Sequence, residues 1–311
     1  MPLNKIDQKQ IQERIRAEKD VDSLLRSLSK EMRTKLLKKY KKDELVSDLT
    51  LVTTAFRPLI EAYWDEIEQV IYNRAGSVQG KVIKDQRKGY VEYLASAKRI
   101  AKPEDKKKID KLIVKTNKEF DILEQRNEGL LKARKVFDDQ TIGDRIKSMS
   151  GATKRTVQNI VADGIQKGKS AGEIAKDIDA YIKGGIKGYK SPYDYYRERF
   201  GKEGKKTIFN KLITKGYIRE GSVSYQSLRI ARSEINMTAR IMQGRINDGS
   251  AIVKGYKWHL SAQHPFYPYK EICEIYAEKK LWKTIPSYPH PNCMCYTTVV
   301  PIKKKDFLKT L

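Results

Sequence analysis

The residues best suited to chemistry lie in one short stretch near the C-terminus. All three histidines and all three cysteines of the chain fall between positions 259 and 295. Imidazole and thiolate are the ligands that zinc prefers, and structural zinc sites take four ligands in a tetrahedron. The stretch therefore predicts a structural zinc site that holds a small, loop-rich lobe together. Buried thiols and core histidines without a metal are the alternative.

The candidate ligands come from two parts of this stretch. The turn HPNCMC supplies up to three of them, and the others approach from the loop after a predicted strand. Glu271 and Glu274 are placed to serve as further ligands or as supports. An odd number of cysteines and the absence of an apolar secretory signal argue against a disulfide among them. The full candidate set is His264, Cys273, His290, Cys293 and Cys295.

A second candidate site lies in the stretch 184–220, which holds ten basic residues, four acidic residues and seven tyrosines or phenylalanines. Basic side chains neutralise phosphates, and aromatic faces stack on bases. This composition predicts contact with nucleic acid, and the alternative is a loop whose aromatic residues pin it to its own domain. The candidate residues are Lys187, Lys190, Tyr195, Tyr196, Arg197, Arg199, Lys205 and Lys206.

The charge of the chain indicates a polyanionic partner. The 311 residues include 64 basic and 39 acidic ones, a formal net charge of +25. Such an excess repels itself, and a polyanion relieves the repulsion. We therefore expect non-specific binding to double-stranded DNA, with a basic surface that has no specific partner as the alternative. The absence of a long apolar run excludes an integral membrane protein, and three cysteines are too few for a disulfide scaffold.

Hydrophobic periodicity predicts an α+β fold. The N-terminal half is mostly helical, and the C-terminal half has helices followed by a small sheet in a Cys/His metal-bound lobe. We expect an antiparallel helix pair around 105–136, and a packed helical hairpin or a DNA-reading helix-turn-helix over 153–183. The predicted elements are helices from Pro58, over 105–136, in two parts of 153–183 and over 222–247, and strands over 253–260 and 295–302.

The chain is expected to divide at about residue 150. The leucines of 5–45 are scattered among charged residues. This pattern predicts a helical arm whose apolar partner lies in another subunit, for example in a second copy of the chain in a homo-oligomer. A partly disordered tail is the alternative. We expect 1–150 to be a helical arm for partner docking. We expect 151–311 to fold by itself as a domain with the aromatic-basic insertion at 184–220.

Four motifs follow one another in the C-terminal half: ARSEINMTARIMQG at 231–244, GYKWHLSAQHP at 255–265, Cys273-Glu274, and HPNCMCYTTVVP at 290–301. Their order resembles the phage Mu protein F-like family of head-morphogenesis proteins, which includes SPP1-type minor head proteins. The resemblance implies that Arg232, Glu234 and Asn236 form a structural hallmark and that the five candidate ligands form the metal cluster. Many relatives have a CxxC where this chain has His264 with Cys273.

The resemblance implies a minor capsid protein that aids head assembly, DNA packaging or delivery. Its partners would be the portal protein, the major capsid protein and packaged DNA. Its location would be the virion, inside the capsid near the portal, and the host cytoplasm during assembly. Because the chain has no phosphate-binding loop and no nucleophile elbow, we expect no enzyme. The alternatives are a zinc-supported nuclease, in which a histidine beside the metal activates water, and a DNA-binding regulator that uses the 153–183 helices.

Overall fold

A computed structural model describes residues 4–134, 140–183, 222–260, 272–279, 281–286 and 295–311. These residues are mostly helical with a small two-stranded antiparallel sheet, which confirms the predicted α+β class. None of the helices in these ranges has the length and apolarity that crossing a bilayer requires. A π-helical turn at Val52–Phe56 leads into α2. The elements are α1 (Asn4–Lys39), α2 (Arg57–Ile100), α3 (Pro103–Gln125), α4 (Asn127–Lys132), α5 (Ile142–Gln166), α6 (Ala171–Lys183), α7 (Val223–Asn247), β1 (Val253–His259), α8 (Ile272–Glu278), β2 (Tyr296–Pro301) and α9 (Lys304–Leu308).

The apolar face of α1 is buried inside the folded chain. Leu25, Leu28 and Leu36 are each at most 1% exposed, and Val21 and Met32 belong to the same stripe. Spacings of three and four residues place these side chains on one side of the helix. The expectation of an apolar partner in another subunit is therefore wrong for Leu25, Leu28 and Leu36, because the chain itself covers them.

The predicted antiparallel pair consists of α2 and α3. Lys98 Nζ lies 2.6 Å from Asp110 Oδ1, and Arg87 Nη1 lies 2.8 Å from Asp121 Oδ1. A later residue of α2 thus pairs with an earlier residue of α3, as antiparallel packing requires. One turn residue separates α3 from α4, so the single helix predicted over 105–136 is two helices.

The segment 142–183 forms the predicted helical hairpin from α5 and α6. A Cβ added to Gly164 would lie 2.6 Å from the Ile174 side chain, so the two helices are in close contact. α5 begins well before the expected start, because Thr141 and Asp144 form a capping box. The Asp144 N–H donates to Thr141 Oγ1 at 3.1 Å, and the Thr141 N–H donates to Asp144 Oδ2 at 2.9 Å. This reciprocal pair satisfies two N–H groups at the start of the helix.

The chain forms two compact units, and each contains segments from both halves of the sequence. The first unit comprises Met1–Arg14, Asn73–Ala133 and Ser233–Leu311, and the second comprises Ile15–Tyr72 and Arg134–Arg232. A boundary at about residue 150 would fall inside α5. A fragment that starts at 151 would lose the capped start of α5 and the helices α1 to α4. In contrast to the expectation from sequence, we therefore expect such a fragment not to fold by itself.

The two predicted strands pair in antiparallel fashion within the first unit. Tyr256 lies opposite Val299, and Trp258 lies opposite Thr297. Since side chains alternate along a strand, Tyr256 and Trp258 point to the same face. Both are at most 1% exposed, so this face of the sheet is buried within the C-terminal lobe.

Candidate metal centre

Two of the five predicted ligands, Cys273 and Cys295, belong to one buried cluster. Cys273 lies in the first turn of α8, and Cys295 directly precedes β2. Both pack with Trp258 of β1, and all three residues are at most 2% exposed. The structure thus brings together two thiols that the sequence assigned to one site.

Aromatic side chains enclose the two cysteines. The ring of Tyr276 meets Trp258 edge-on at a centroid distance of 5.2 Å and meets Trp282 at 5.0 Å. Trp282 Nε1 donates to the Tyr276 carbonyl oxygen at 3.1 Å, and the Trp282 backbone exchanges two hydrogen bonds with Tyr256. Edge-on aromatic pairs add about 0.5–1.5 kcal/mol beyond the area that they bury. The cluster is therefore firmly attached to β1.

Gly255 allows the segment around Trp282 to approach β1. A Cβ at this position would overlap the Trp282 carbonyl oxygen and would lie 3.1 Å from the Leu281 side chain. Its φ of 156° also favours glycine. A glycine inside a strand often marks a bulge or a close approach of backbone, and both occur here.

Arg240 of α7 joins this helix to the cluster. Its guanidinium carbon lies 4.5 Å from the centroid of the Trp258 ring, and its Nη2 donates to the Cys295 carbonyl oxygen. The residue is 5% exposed. A cation over an indole face contributes about 2 kcal/mol when it is desolvated. Arg240 therefore fixes the backbone of a candidate ligand as well as the tryptophan beside it.

His259 has a structural role in the sheet. Its Nε2 shares a 2.8 Å hydrogen bond with Thr298 Oγ1, and its ring stacks on Tyr296 at 5.0 Å. Burial is the largest cause that lowers the pKa of His259, and the charge of Lys257 adds to it. The neutral imidazole is thus the favoured form in the sheet. His259 is outside the predicted ligand set, which makes it a useful control.

The remaining candidate ligands, His264, His290 and Cys293, lie outside the described residues, as does Glu271. Within the described ranges, no group of three or more histidines, cysteines and acids is arranged to hold a metal ion. The two thiols that are placed fit the donor chemistry that zinc prefers, and their burial fits a closed structural site. The five-residue ligand set stays a prediction.

α7 carries a line of buried polar side chains that continues beyond Arg240. In the second unit, Arg232 donates to both carboxylate oxygens of Glu18, at 2.5 and 2.8 Å. Both residues of this pair are 1% exposed. The other two residues of the predicted hallmark, Glu234 and Asn236, are also buried. Arg232 and Glu18 form a bidentate ion pair inside the second unit, which agrees with a structural role.

In the first unit, Asn236, Gln243 and Asn247 hold α7 to other elements. Asn236 Oδ1 accepts a hydrogen bond from Gln10 at 3.2 Å, and Gln243 Oε1 accepts one from Thr297 at 2.7 Å. Asn247 Oδ1 accepts one from the Tyr90 hydroxyl at 2.9 Å. Since steps of three, four and seven residues separate polar residues on one side of a helix, this pattern could have been found in the sequence. The polar line of α7 is therefore a framework that positions β2 and the cysteine cluster.

No known protein family, curated protein or solved structure matches this chain. The candidate centre is therefore interpreted from its own residues. Its geometry suits a closed site in which soft ligands cross-link α8 to the start of β2.

The eight predicted nucleic-acid contacts all lie in 184–220, outside the described residues. DNA contact through Lys187, Arg197 and their neighbours stays a prediction. It depends on composition and on the net charge of the chain.

Proposed function

We propose that this chain is a structural and assembly protein of a tailed-phage head. It is a minor capsid component inside the capsid near the portal, where it contacts the portal protein, the major capsid protein and packaged double-stranded DNA. It enters the virion from the host cytoplasm during assembly. The proposal starts from the order of the four motifs in 231–301 and from the charge of +25.

The observation that carries the proposal is the buried Cys273–Cys295 cluster under Trp258. A catalytic zinc keeps one position open for water or substrate, whereas a structural zinc is fully enclosed by the protein. Exposures of 0% and 2% at the two thiols favour the enclosed kind. The cluster thus supports a folded lobe that serves assembly over the alternative of a zinc-supported nuclease.

A zinc ion bound at this cluster would act as a cross-link and would add its binding energy to the folding energy of the lobe. Cys273 and Cys295 would hold it together with two of the three residues His264, His290 and Cys293. We expect about one zinc per chain in protein purified without chelators, measured by elemental analysis. Cys273→Ser or Cys295→Ser lowers both the zinc content and the melting temperature.

His259→Asn is the matched control, because it changes a histidine of the same lobe that is outside the ligand set. This variant keeps its zinc. Protein that contains no metal, or a C295S variant that keeps full zinc content, overturns the assignment of the cluster as a zinc site.

The head-assembly role is tested in particles. We expect the tagged chain, expressed from its own genome, to co-purify with heads at a copy number far below that of the major capsid protein. Quantitative mass spectrometry of purified proheads and virions measures this. A chain that is absent from both kinds of particle is not a head protein.

The nuclease alternative has a separate readout. Plasmid DNA incubated with the purified chain and zinc or magnesium stays intact if the chain is structural. Cleavage that disappears in C295S would favour the nuclease instead.

A further inference from the structure

A cleft of about 780 Å³ lies in the first unit, between α2 and the end of β2. Tyr93, Val299, Pro301 and Ile302 contribute apolar surface to its wall, and Lys303–Lys305 line the same cleft. Binding sites commonly combine an apolar concave surface with a few charged groups at fixed positions. The cleft has both features and belongs to neither of the candidate sites described above.

The wall of the cleft is built from firmly packed parts. The Tyr93 hydroxyl donates to the Ile302 carbonyl oxygen at 3.2 Å, and its ring meets Phe307 edge-on at 5.7 Å. Phe307 is 1% exposed, which anchors the short helix α9. Lys108 Nζ donates to the Leu311 backbone oxygen at 2.7 Å and so holds the residues that follow α9. A ligand would find the cleft already formed.

The charge at the cleft is positive. Lys303, Lys304 and Lys305 are exposed, and no carboxylate among the described residues forms an ion pair with any of them. The acid that also lines the cleft, Glu92, lies 3.8 Å from Lys88 on the same helix. Three adjacent cations therefore face solvent beside an apolar wall.

We propose that this cleft binds an acidic segment of a partner protein, with an apolar side chain of the segment seated against Pro301 and Ile302. Glutamates and aspartates of the segment would pair with Lys303–Lys305, which complements the charge of the cleft. A nucleic-acid backbone would satisfy the lysines but has no apolar side chain to cover the wall. The apolar wall thus favours a peptide over DNA, and the inference does not depend on the head-assembly role.

The test uses the full-length chain and a fluorescein-labelled peptide, Glu-Asp-Glu-Leu-Phe-Glu-Asp-Glu, in fluorescence anisotropy titrations. The cleft variant is K303E/K304E/K305E, and the control variant is K106E/K107E/K111E. The control makes the same change in charge on the exposed side of α3. Melting temperatures of both variants show that they are folded.

We expect the peptide to bind the wild type and the control with similar affinity. The cleft variant binds it about tenfold more weakly, because each reversal replaces an attraction to the acidic peptide with a repulsion. Replacing Leu-Phe in the peptide by Ser-Ser also weakens binding to the wild type, because the apolar contact is lost.

Three results would overturn the proposal. The first is no binding of the peptide to the wild type. The second is equal weakening in the cleft and control variants, which indicates general charge attraction. The third is a cleft variant that loses affinity for a labelled DNA duplex while its affinity for the peptide is unchanged, which assigns the lysines to phosphate contact.

Discussion

The buried pair of Glu18 and Arg232 allows a quantitative test of the framework around α7. The guanidinium donates two hydrogen bonds to the carboxylate, at 2.5 and 2.8 Å, and the side chains are 1% and 2% exposed. We consider three variants: Glu18→Leu, Arg232→Met and the double variant. Each single change leaves one ionic group without its bidentate partner in a place that water does not reach.

The expected costs follow from desolvation. Removing one partner of a buried ion pair destabilises a protein by about 3–5 kcal/mol, because the remaining charge is not compensated. Replacing both partners by apolar side chains of similar volume is often close to neutral. We therefore expect each single variant to unfold roughly 10 °C below the wild type, and the double variant to recover most of this loss.

Urea unfolding followed by circular dichroism measures the four free energies of unfolding, and the double-mutant cycle gives the coupling energy. A coupling energy of about 2 kcal/mol or more is the expected outcome. Additive single effects, or a cost below about 1 kcal/mol for E18L, would refute the argument that Arg232 depends on this carboxylate. Because the pair is buried, we expect the folded variants and the wild type to have the same affinity for DNA.

Three further predictions address the sheet, pH and DNA. Gly255→Ala lowers the free energy of unfolding in urea by about 2 kcal/mol, because the added Cβ would overlap the Trp282 carbonyl oxygen and the φ of this residue is strained for alanine. In the control Gly129→Ala the added Cβ has no atom within 4 Å, so stability is equal or slightly higher. Equal results for the two variants would contradict the packing argument. Burial raises the pKa of Tyr90 to about 12. Its contribution to stability is therefore fully present below pH of about 10 and is lost as the pH rises towards 12. The free energy of unfolding of Tyr90→Phe is lower at neutral pH but falls less over this range, and parallel plots of that free energy against pH would disprove the linkage. We expect the chain to bind duplex DNA without sequence preference, with a slope of log K against log salt concentration of about −0.9 per neutralised phosphate. Deletion of 186–218 makes this slope shallower, because fewer phosphates are neutralised. An unchanged slope would show that 186–218 does not contact the DNA.

Local sequence patterns were sufficient to predict the bounds of several helices and strands. The apolar and polar periodicity of 222–247 predicted α7 to within one residue at its start. The strands predicted over 253–260 and 295–302 agree equally well with β1 and β2. Such signals are local, and so the sequence contains them directly.

The burial of charged residues on α1 could not be predicted in this way. Glu13 and Glu18 are 3% and 1% exposed, although their surroundings in sequence are those of a solvated arm. Glu13 pairs with Lys81 at 2.8 Å, and Glu18 pairs with Arg232. Partners that are far away in sequence explain the burial, and a local pattern contains no information about them. The interleaved composition of the two units has the same origin.

The candidate centre was predicted in part. The crowding of soft ligands indicated that Cys273 and Cys295 belong together, and the structure places them in one cluster. The role of Arg240 was missed, although it lies two turns after Arg232 on the polar line of α7. Arg240 donates to the backbone carbonyl oxygen of Cys295. Because every residue type has this backbone atom, the sequence does not indicate that it is the acceptor.

The pairing of Glu18 with Arg232 also has a consequence for synthesis on the ribosome. The two residues are 214 positions apart, and translation at about 5–20 residues per second takes roughly 10–40 s to cover that distance. During this time α1 has left the ribosome while the chain that completes its unit is still being made. The surface that buries Leu228 and Ala231 of α7 is then open to other nascent chains, so a chaperone that binds apolar segments should raise the yield of the full-length protein.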